Sequence, residues 1–258
     1  MSVELEVDDE GIALITLNRP ERMNAMDAEA YQQLSDAWSR VRDDSDVRVA
    51  VITGAGEKAF SAGADLKSFF KDQQDMSEFW LTQKGQLLNR GLEVWKPVIA
   101  AVNGYCLGGG MTLLLATDIR IATPSATFGL SEVARGVIAG NGGTQRVLEQ
   151  LPHPIAMELL LTGRRIDAEA AARWGLVNRV VPREDLLPTA FEIAREIARN
   201  APLAVQATKE LALRSRDVDR ATGLRMEQTM NKLLQFTEDA QEGPAAFAER
   251  RSPDFRGR

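Results

Sequence analysis

A chain of 258 residues can bury a substantial core as one large domain, or as one domain with an appendage. Its 44% hydrophobic and 26% charged residues are the balance of an ordinary water-soluble globular protein, and a formal net charge of −6 without a long basic run makes nucleic acid and anionic membranes poor partners. The single cysteine excludes an intrachain disulfide, and with no cationic apolar leader and no run of about 18 apolar residues the expectation is a cytoplasmic protein.

In chain order, residues 3–7 alternate apolar and acidic side chains and residues 12–17 are rich in β-formers, with 8–11 between them, which predicts a hairpin ended by Asn18-Arg19-Pro20. Asp27 is placed to cap a helix through Arg42, with Ala30, Leu34, Ala37, Trp38 and Val41 on one face. Residues 49–53 read as a buried strand, and 54–56 turn the chain into the small-residue stretch KAFSAGADLK. Residues 69–95 predict a helix or pair of helices stopped by Lys96-Pro97, and their start, FFKDQQDMSEFW, is expected to be a flexible, substrate-facing segment.

A strand over 98–102 then enters a turn at Asn103-Gly104, three glycines follow (Gly108, Gly109, Gly110), and a helix is predicted over 109–116. Such a turn exposes backbone N–H groups at a helix start, where a phosphate or a developing oxyanion can be held. Three glycines alone fit a tight packing turn equally well. Short strands are predicted at 118–122 and 127–128, a turn or helix start at 130–133, and a helix over 144–151 after the glycines of 140–143. A helix over 168–174 is closed by Gly175, and a strand over 176–181 by Pro182. The remainder predicts helices over 186–199, 202–213, 219–236 and 242–251, with Pro202 suited to a helix start. Met226, Met230, Leu233, Leu234 and Phe236 make an apolar stripe wider than one short helix needs; the simplest reading is that it packs on its own body. The alternation of strand and helix predicts an α/β body built from repeated ββα turns.

KAFSAGADLK (58–67), NGYCLGGG (103–110) and FGLSE…GNGGTQR (128–146) stand in one order and at one spacing over nearly the whole chain. On these motifs the chain resembles the crotonase superfamily, also called the enoyl-CoA hydratase/isomerase family. The resemblance implies a spiral of ββα units through about residue 200 and a C-terminal helical region, 201–258, that mediates a homotrimer or homohexamer. It further implies an acyl-CoA thioester as substrate, with coenzyme A part of that substrate and no separate cofactor or metal.

Residue by residue, Ala64 and Gly109 match the family's two oxyanion-hole N–H donors, which stabilise the thioester enolate without reorganising. Glu132 matches the family's general acid/base; alone, a glutamate after a serine fits a helix cap or a surface position as well. A carboxylate partly buried there has its pKa raised towards the working pH. Ala62, Asp65 and Leu66 match the backbone around the adenine, Lys67 stands near the phosphates, and Phe247 and Arg250 match positions through which a neighbouring subunit touches the nucleotide. The family usually has lysine where Arg250 stands, so the charge is kept and the fork geometry changes.

Two departures bear on the reaction. Two-glutamate hydratases carry their second glutamate where this chain has Thr112, which can hydrogen-bond water or substrate but is no base at neutral pH. Branches that carry an aspartate eight residues beyond Glu132 find Gly140 here, followed by Asn141, which disfavours dienoyl-CoA isomerisation and dehalogenation. The hydroxyl at Thr112 with FGLSE also resembles the hydroxycinnamoyl-CoA hydratase-lyases, which use tyrosines; only Tyr31 and Tyr105 are present, so retro-aldol cleavage ranks low. Hydration of a 2-trans-enoyl-CoA ranks first, double-bond isomerisation by Glu132 alone second, and a catalytically weak scaffold or RNA-binding subunit third.

Other residues have plainer readings. His153 between two prolines is structural, Cys106 is a small core residue with no histidine near in sequence to activate it, and Asp118 bonds backbone groups. Thr144-Gln145-Arg146 anchors a helix, and the basic pairs 164–165 and 250–251 are solvated surface that could meet ligand phosphates. No metal-ligand cluster, strand–GxGxxG–helix unit or GxxxxGK[ST] loop is present in the sequence.

Overall fold

The computed structural model describes residues 1–65 and 86–258. Two sheets organise it. The larger has six strands in the order β1 (Val3–Val7), β2 (Ile12–Leu17), β3 (Val49–Gly54), β5 (Val98–Val102), β7 (Ile119–Ala122) and β10 (Arg179–Val180). The β1–β2 hairpin is antiparallel, and from β2 onward each neighbour is parallel. The smaller sheet runs β4 (Ala59–Ser61), β6 (Tyr105–Leu107), β8 (Thr127–Gly129) and β9 (Arg165–Asp167). Each of β3–β4, β5–β6 and β7–β8 therefore lays one strand in the large sheet and the next in the small one. That repeated step is the spiral the motifs imply.

The continuous apolar runs of β3 and β5 are explained by burial of both faces, the usual condition of parallel strands. Every residue of these two strands is buried. Val49, Val51, Ile99 and Ala101 face α6 (Leu186–Ala198) through Leu186, Ala190, Ile193, Ala194 and Ala198. Ala50, Ile52, Val98, Ala100 and Val102 face inward, into a core that includes the fully buried Trp38, Phe60 and Phe128. Each such large side chain contributes about 1.5–3 kcal/mol by leaving water.

Helix α1 (Ala28–Asp43) starts as predicted: the Asp27 carboxylate accepts from Ala30 N at 3.0 Å, and Ala30, Leu34, Ala37, Trp38 and Val41 are its buried face. α2 is Gly109–Leu114, α3 Gly143–Gln150, α4 His153–Thr162 and α5 Ala168–Arg173. Cys106 is buried in the core, and the Asp118 carboxylate accepts from Val98 N at 2.7 Å and pairs with Lys209.

Two expectations need correction. The predicted helices over 69–95 fall largely on residues 66–85, outside the described residues. Residues 86–95 are a turn, not a helix: Leu87 and Arg90 exchange backbone hydrogen bonds of 2.8 Å, and Gly91 takes φ +77°. Buried Leu87, Leu88, Leu92 and Val94 draw this segment into the core in a pattern no single helix face provides. The strand expected over 176–181 shrinks to Arg179–Val180, because Leu176 and Val177 turn inward to be buried.

The chain ends in α7 (Pro202–Arg214), α8 (Arg220–Leu234) and α9 (Glu238–Glu249). α7 is tied to the body by Lys209 Nζ, which meets Asp118 at 2.7 Å and the Lys96 carbonyl at 2.9 Å. α8 has no buried residue; Leu224, Leu233 and, just beyond it, Phe236 are 51%, 60% and 75% exposed. Of the apolar stripe, Met226, Met230 and Leu234 are half-buried, while Leu233 and Phe236 stay exposed.

Candidate active site

Two backbone turns meet just beyond β4 and β6 of the smaller sheet. The first follows β4 and is strapped by the segment 23–26. Ser61 Oγ donates to Asn24 O at 2.8 Å and accepts from Gly63 N, Ala62 N donates to Met23 O, and Met26 N donates to Gly63 O. The Asn24 amide reaches Ala55 O and Ala59 O from the other side. The bridge between Met26 and Ala64 uses Gly63 O and Asp65 N, so Ala64 N–H stays outside it.

The second turn is Gly108–Gly110. Gly108 has φ +52°, a backbone shape that other residues rarely take. A Cβ on Gly110 would stand 2.5 Å from Ser61 O, and one on Gly63 would stand 2.7 Å from Gly109 N. Only bare glycine lets the two loops approach this closely. Gly109 is the first residue of α2, where an N–H has no intrahelical acceptor. α2 is only six residues long, so the N–H groups themselves, not a long macrodipole, carry the local field.

Glu132 begins a short 3-10 turn, Glu132–Arg135, after β8. Its Oε1 lies 3.5 Å from where a Cβ on Gly108 would be. Its Oε2 is buried and has no hydrogen-bond partner among the described residues. Burial pushes the Glu132 carboxyl above the ordinary glutamate range, against smaller opposing pulls from its own backbone and Arg135. Beside it lies a small cavity of about 180 Å³ walled by Leu130, Val133, Ile138, Ala139, Met157, Leu160 and Leu161, with Thr144 and Glu132 as the polar members.

Thr112 is buried one helical turn beyond Gly108. Its hydroxyl donates to Gly109 O at 3.0 Å and accepts from Asn89 Nδ2 at 3.2 Å, and its methyl lies against Gly143. Its proton is thus committed to the helix. Asp65 lies 3.8 Å from Arg19, which also pairs with Asp27. Ala62 is half-buried on the first turn, whereas Leu66 and Lys67 lie outside the described residues. Phe247 (86% exposed) is on α9 and Arg250 caps it at φ +55°, so both belong to the C-terminal helices and not to the turns.

Two residues near the turns carry no motif. The Asn89 side chain fixes Thr112 while its Oδ1 stays buried and unpartnered. Tyr31, on the same face of α1 as Ser35 and Trp38, brings its hydroxyl to 3.0 Å from the Cβ position of Gly109. The α1 periodicity was the available signal for Tyr31; nothing in the sequence pattern marks Asn89. Among the described residues no group of His, Cys, Asp and Glu is arranged to hold a metal, and no helix is long and apolar enough to cross a membrane.

Comparison with known proteins identifies the family. The enoyl-CoA hydratase/isomerase family matches residues 8–258. The (E)-benzylidenesuccinyl-CoA hydratase of Thauera aromatica is 46% identical, covering 100% of both chains. The carnitinyl-CoA dehydratase of Proteus mirabilis is 41% identical, also over 100% of both. The crystal structure of enoyl-CoA hydratase from Bacillus anthracis superposes with a TM-score of 0.91 at 38% identity, covering 100% of each chain.

Proposed function

We propose a specific reaction for this chain, which belongs to the enoyl-CoA hydratase/isomerase family and is an enzyme of its hydro-lyase type: addition of water to a 2-trans-enoyl-CoA. The observation that carries the reading is one half-buried carboxylate, Glu132, with its Oε2 enclosed, set over a glycine turn packed against the loop that bears the Ala64 N–H. The thioester oxygen accepts from Ala64 N and Gly109 N, and each such donor stabilises the enolate by roughly 3 kcal/mol. Glu132 takes a proton from water as the hydroxide adds to the β-carbon, then returns a proton to the α-carbon. The reverse sequence eliminates water. Thr112 contributes at most a lone pair to the water, since its proton is held by Gly109 O.

Coenzyme A enters and leaves with the acyl group, so no further cofactor is required. Its adenine is assigned to the backbone around Ala62, Asp65 and Leu66 and its phosphates to Lys67, with Phe247 and Arg250 reaching it from a neighbouring subunit of a homotrimer or homohexamer. Exposed Leu233, Phe236 and Phe247 support that assembly. The apolar cavity beside Glu132 exceeds the ~150 Å³ that holds a benzene ring, which supports a branched or aryl acyl group. The relatives named for benzylidenesuccinyl-CoA and carnitinyl-CoA are consistent with a substituted acyl chain.

A second reading is favoured by the committed hydroxyl of Thr112: with a single acid/base group, moving a 3-enoyl double bond to position 2 is chemically complete. The catalytically weak scaffold or RNA-binding subunit is opposed by the −6 net charge. Crotonyl-CoA and a 3-enoyl-CoA offered to wild type, Glu132→Gln and Thr112→Glu decide among them. Hydration lost in Glu132→Gln supports the first reading. A preference for the 3-enoyl substrate, with Thr112→Glu raising only hydration, moves the assignment to isomerase. RNA binding without any thioester turnover selects the third.

A further inference from the structure

The structure brings the hydroxyl of Tyr31 against the Gly109 turn without giving it a partner among the described residues. A Cβ on Gly109 would stand 3.0 Å from Tyr31 Oη and 3.3 Å from Ala64 N. The phenol and the backbone donor therefore face the same small space beside Gly109. The Tyr31 backbone N–H donates to Asp27 O at 2.9 Å, while its hydroxyl makes no hydrogen bond among the described residues. Its ring is held by position: α1 packs its Ala30, Leu34 and Trp38 face into the core, and Ser35, one turn on, donates to Gln86 O at 2.6 Å. A side chain so fixed, with its oxygen left unbonded beside two free N–H groups, is arranged for a ligand atom.

We propose that Tyr31 is a third hydrogen-bond donor to the thioester oxygen, completing with Ala64 N and Gly109 N the site that stabilises the enolate. The proposal rests on the enolate reading of the two turns. Burial first, and the charge of Glu132 in addition, push the phenol up to about 12, with Arg90 pulling the other way. Tyr31 thus stays protonated across the working range and acts as a donor, never as a base. A neutral O–H aimed at a developing negative oxygen strengthens as charge accumulates, so it acts on the transition state more than on the bound substrate.

Tyr31→Phe removes the O–H and keeps the ring. The expected result is a kcat loss on the order of 100-fold with KM changed by less than about threefold, the pattern of a donor whose bond strengthens as charge develops. A second readout follows the ground state directly. Cinnamoyl-CoA bound to wild type should show a red-shifted absorbance from polarisation of its carbonyl, and Tyr31→Phe should reduce that shift. Site-specific 3-fluorotyrosine at position 31, a more acidic phenol in the same place, should keep or enlarge it, which covers the case in which Tyr31→Phe fails to fold. An undiminished shift in folded Tyr31→Phe, a shift reduced by 3-fluorotyrosine, or unchanged kcat overturns the proposal. Absence of any shift in wild type overturns the oxyanion reading itself.

Discussion

The spiral body and the C-terminal helices solve the problem of apolar surface in opposite ways. In the body, β3 and β5 are buried on both faces and Trp38 has no exposed area. In α8 no residue is buried, and Leu233 and Phe236 stand in solvent. The body carries its core and both backbone donors within one chain. The helices carry apolar surface that one chain leaves uncovered, together with Phe247 and Arg250, two of the residues proposed for the nucleotide. On the proposed function, chemistry falls to the body and assembly to the helices, and changes in one should leave the other's readout largely alone.

The largest effect expected is on chemistry. Glu132→Gln should lower kcat for the preferred enoyl-CoA by about 10²–10⁴-fold, while Phe247→Ala leaves kcat near wild type and changes KM. Steady-state kinetics of both variants would show the division failing if Phe247→Ala lowered kcat as much as Glu132→Gln.

Stability comes next. Trp38→Ala should cost about 3–5 kcal/mol in urea unfolding, against within about 0.5 kcal/mol for Leu233→Ala measured at high dilution. Similar losses for the two would mean that α8 folds as part of the body's core. Gly109→Ala should lower kcat by roughly 10²-fold or more, since its Cβ would press on Tyr31 Oη and Ala64 N; unchanged kcat would show that the oxyanion site lies elsewhere.

The smallest effect is on pH. Hydration starts from ionised Glu132, so kcat/KM should fall as pH drops through its raised pKa, with the acid limb centred above the 4.5 of an ordinary glutamate. The same shift means that folding favours the protonated carboxyl, so Glu132 contributes stability below its unfolded pKa that is lost as pH rises through the folded value. An acid limb at or below 4.5 would remove Glu132 from that role.

Much of this was legible in the residues because it is local. Asp27 caps α1 through a bond three residues away, and the unbroken apolar runs of β3 and β5 announce burial on both faces. The triple glycine marked its turn because Gly108 combines φ +52° with ψ −122°, a shape that side chains disfavour, and a Cβ on Gly110 would press on Ser61 O. What was not legible depends on partners distant in sequence. The pattern of 86–95 could not reveal that its leucines enter the core as a turn. The α1 periodicity put Tyr31 near the buried face without showing that Gly109, 78 positions on, lies opposite it. Nor does anything in the sequence tie Asn89 to Thr112.

The two donors are main-chain groups, and their lack of an internal partner sets a clock. Amides in β3 are locked in a ladder beneath two layers of side chains and exchange their hydrogens with solvent only when the body opens. Ala64 N–H lies amid strapped loops but outside any ladder, and its residue is half-buried. It should trade its hydrogen for deuterium orders of magnitude sooner than Val51, without unfolding, and slow sharply once a thioester oxygen occupies it. This strapped loop should thus hold a fast amide, and the rate of that one hydrogen would report occupancy of the site before any bond is made or broken.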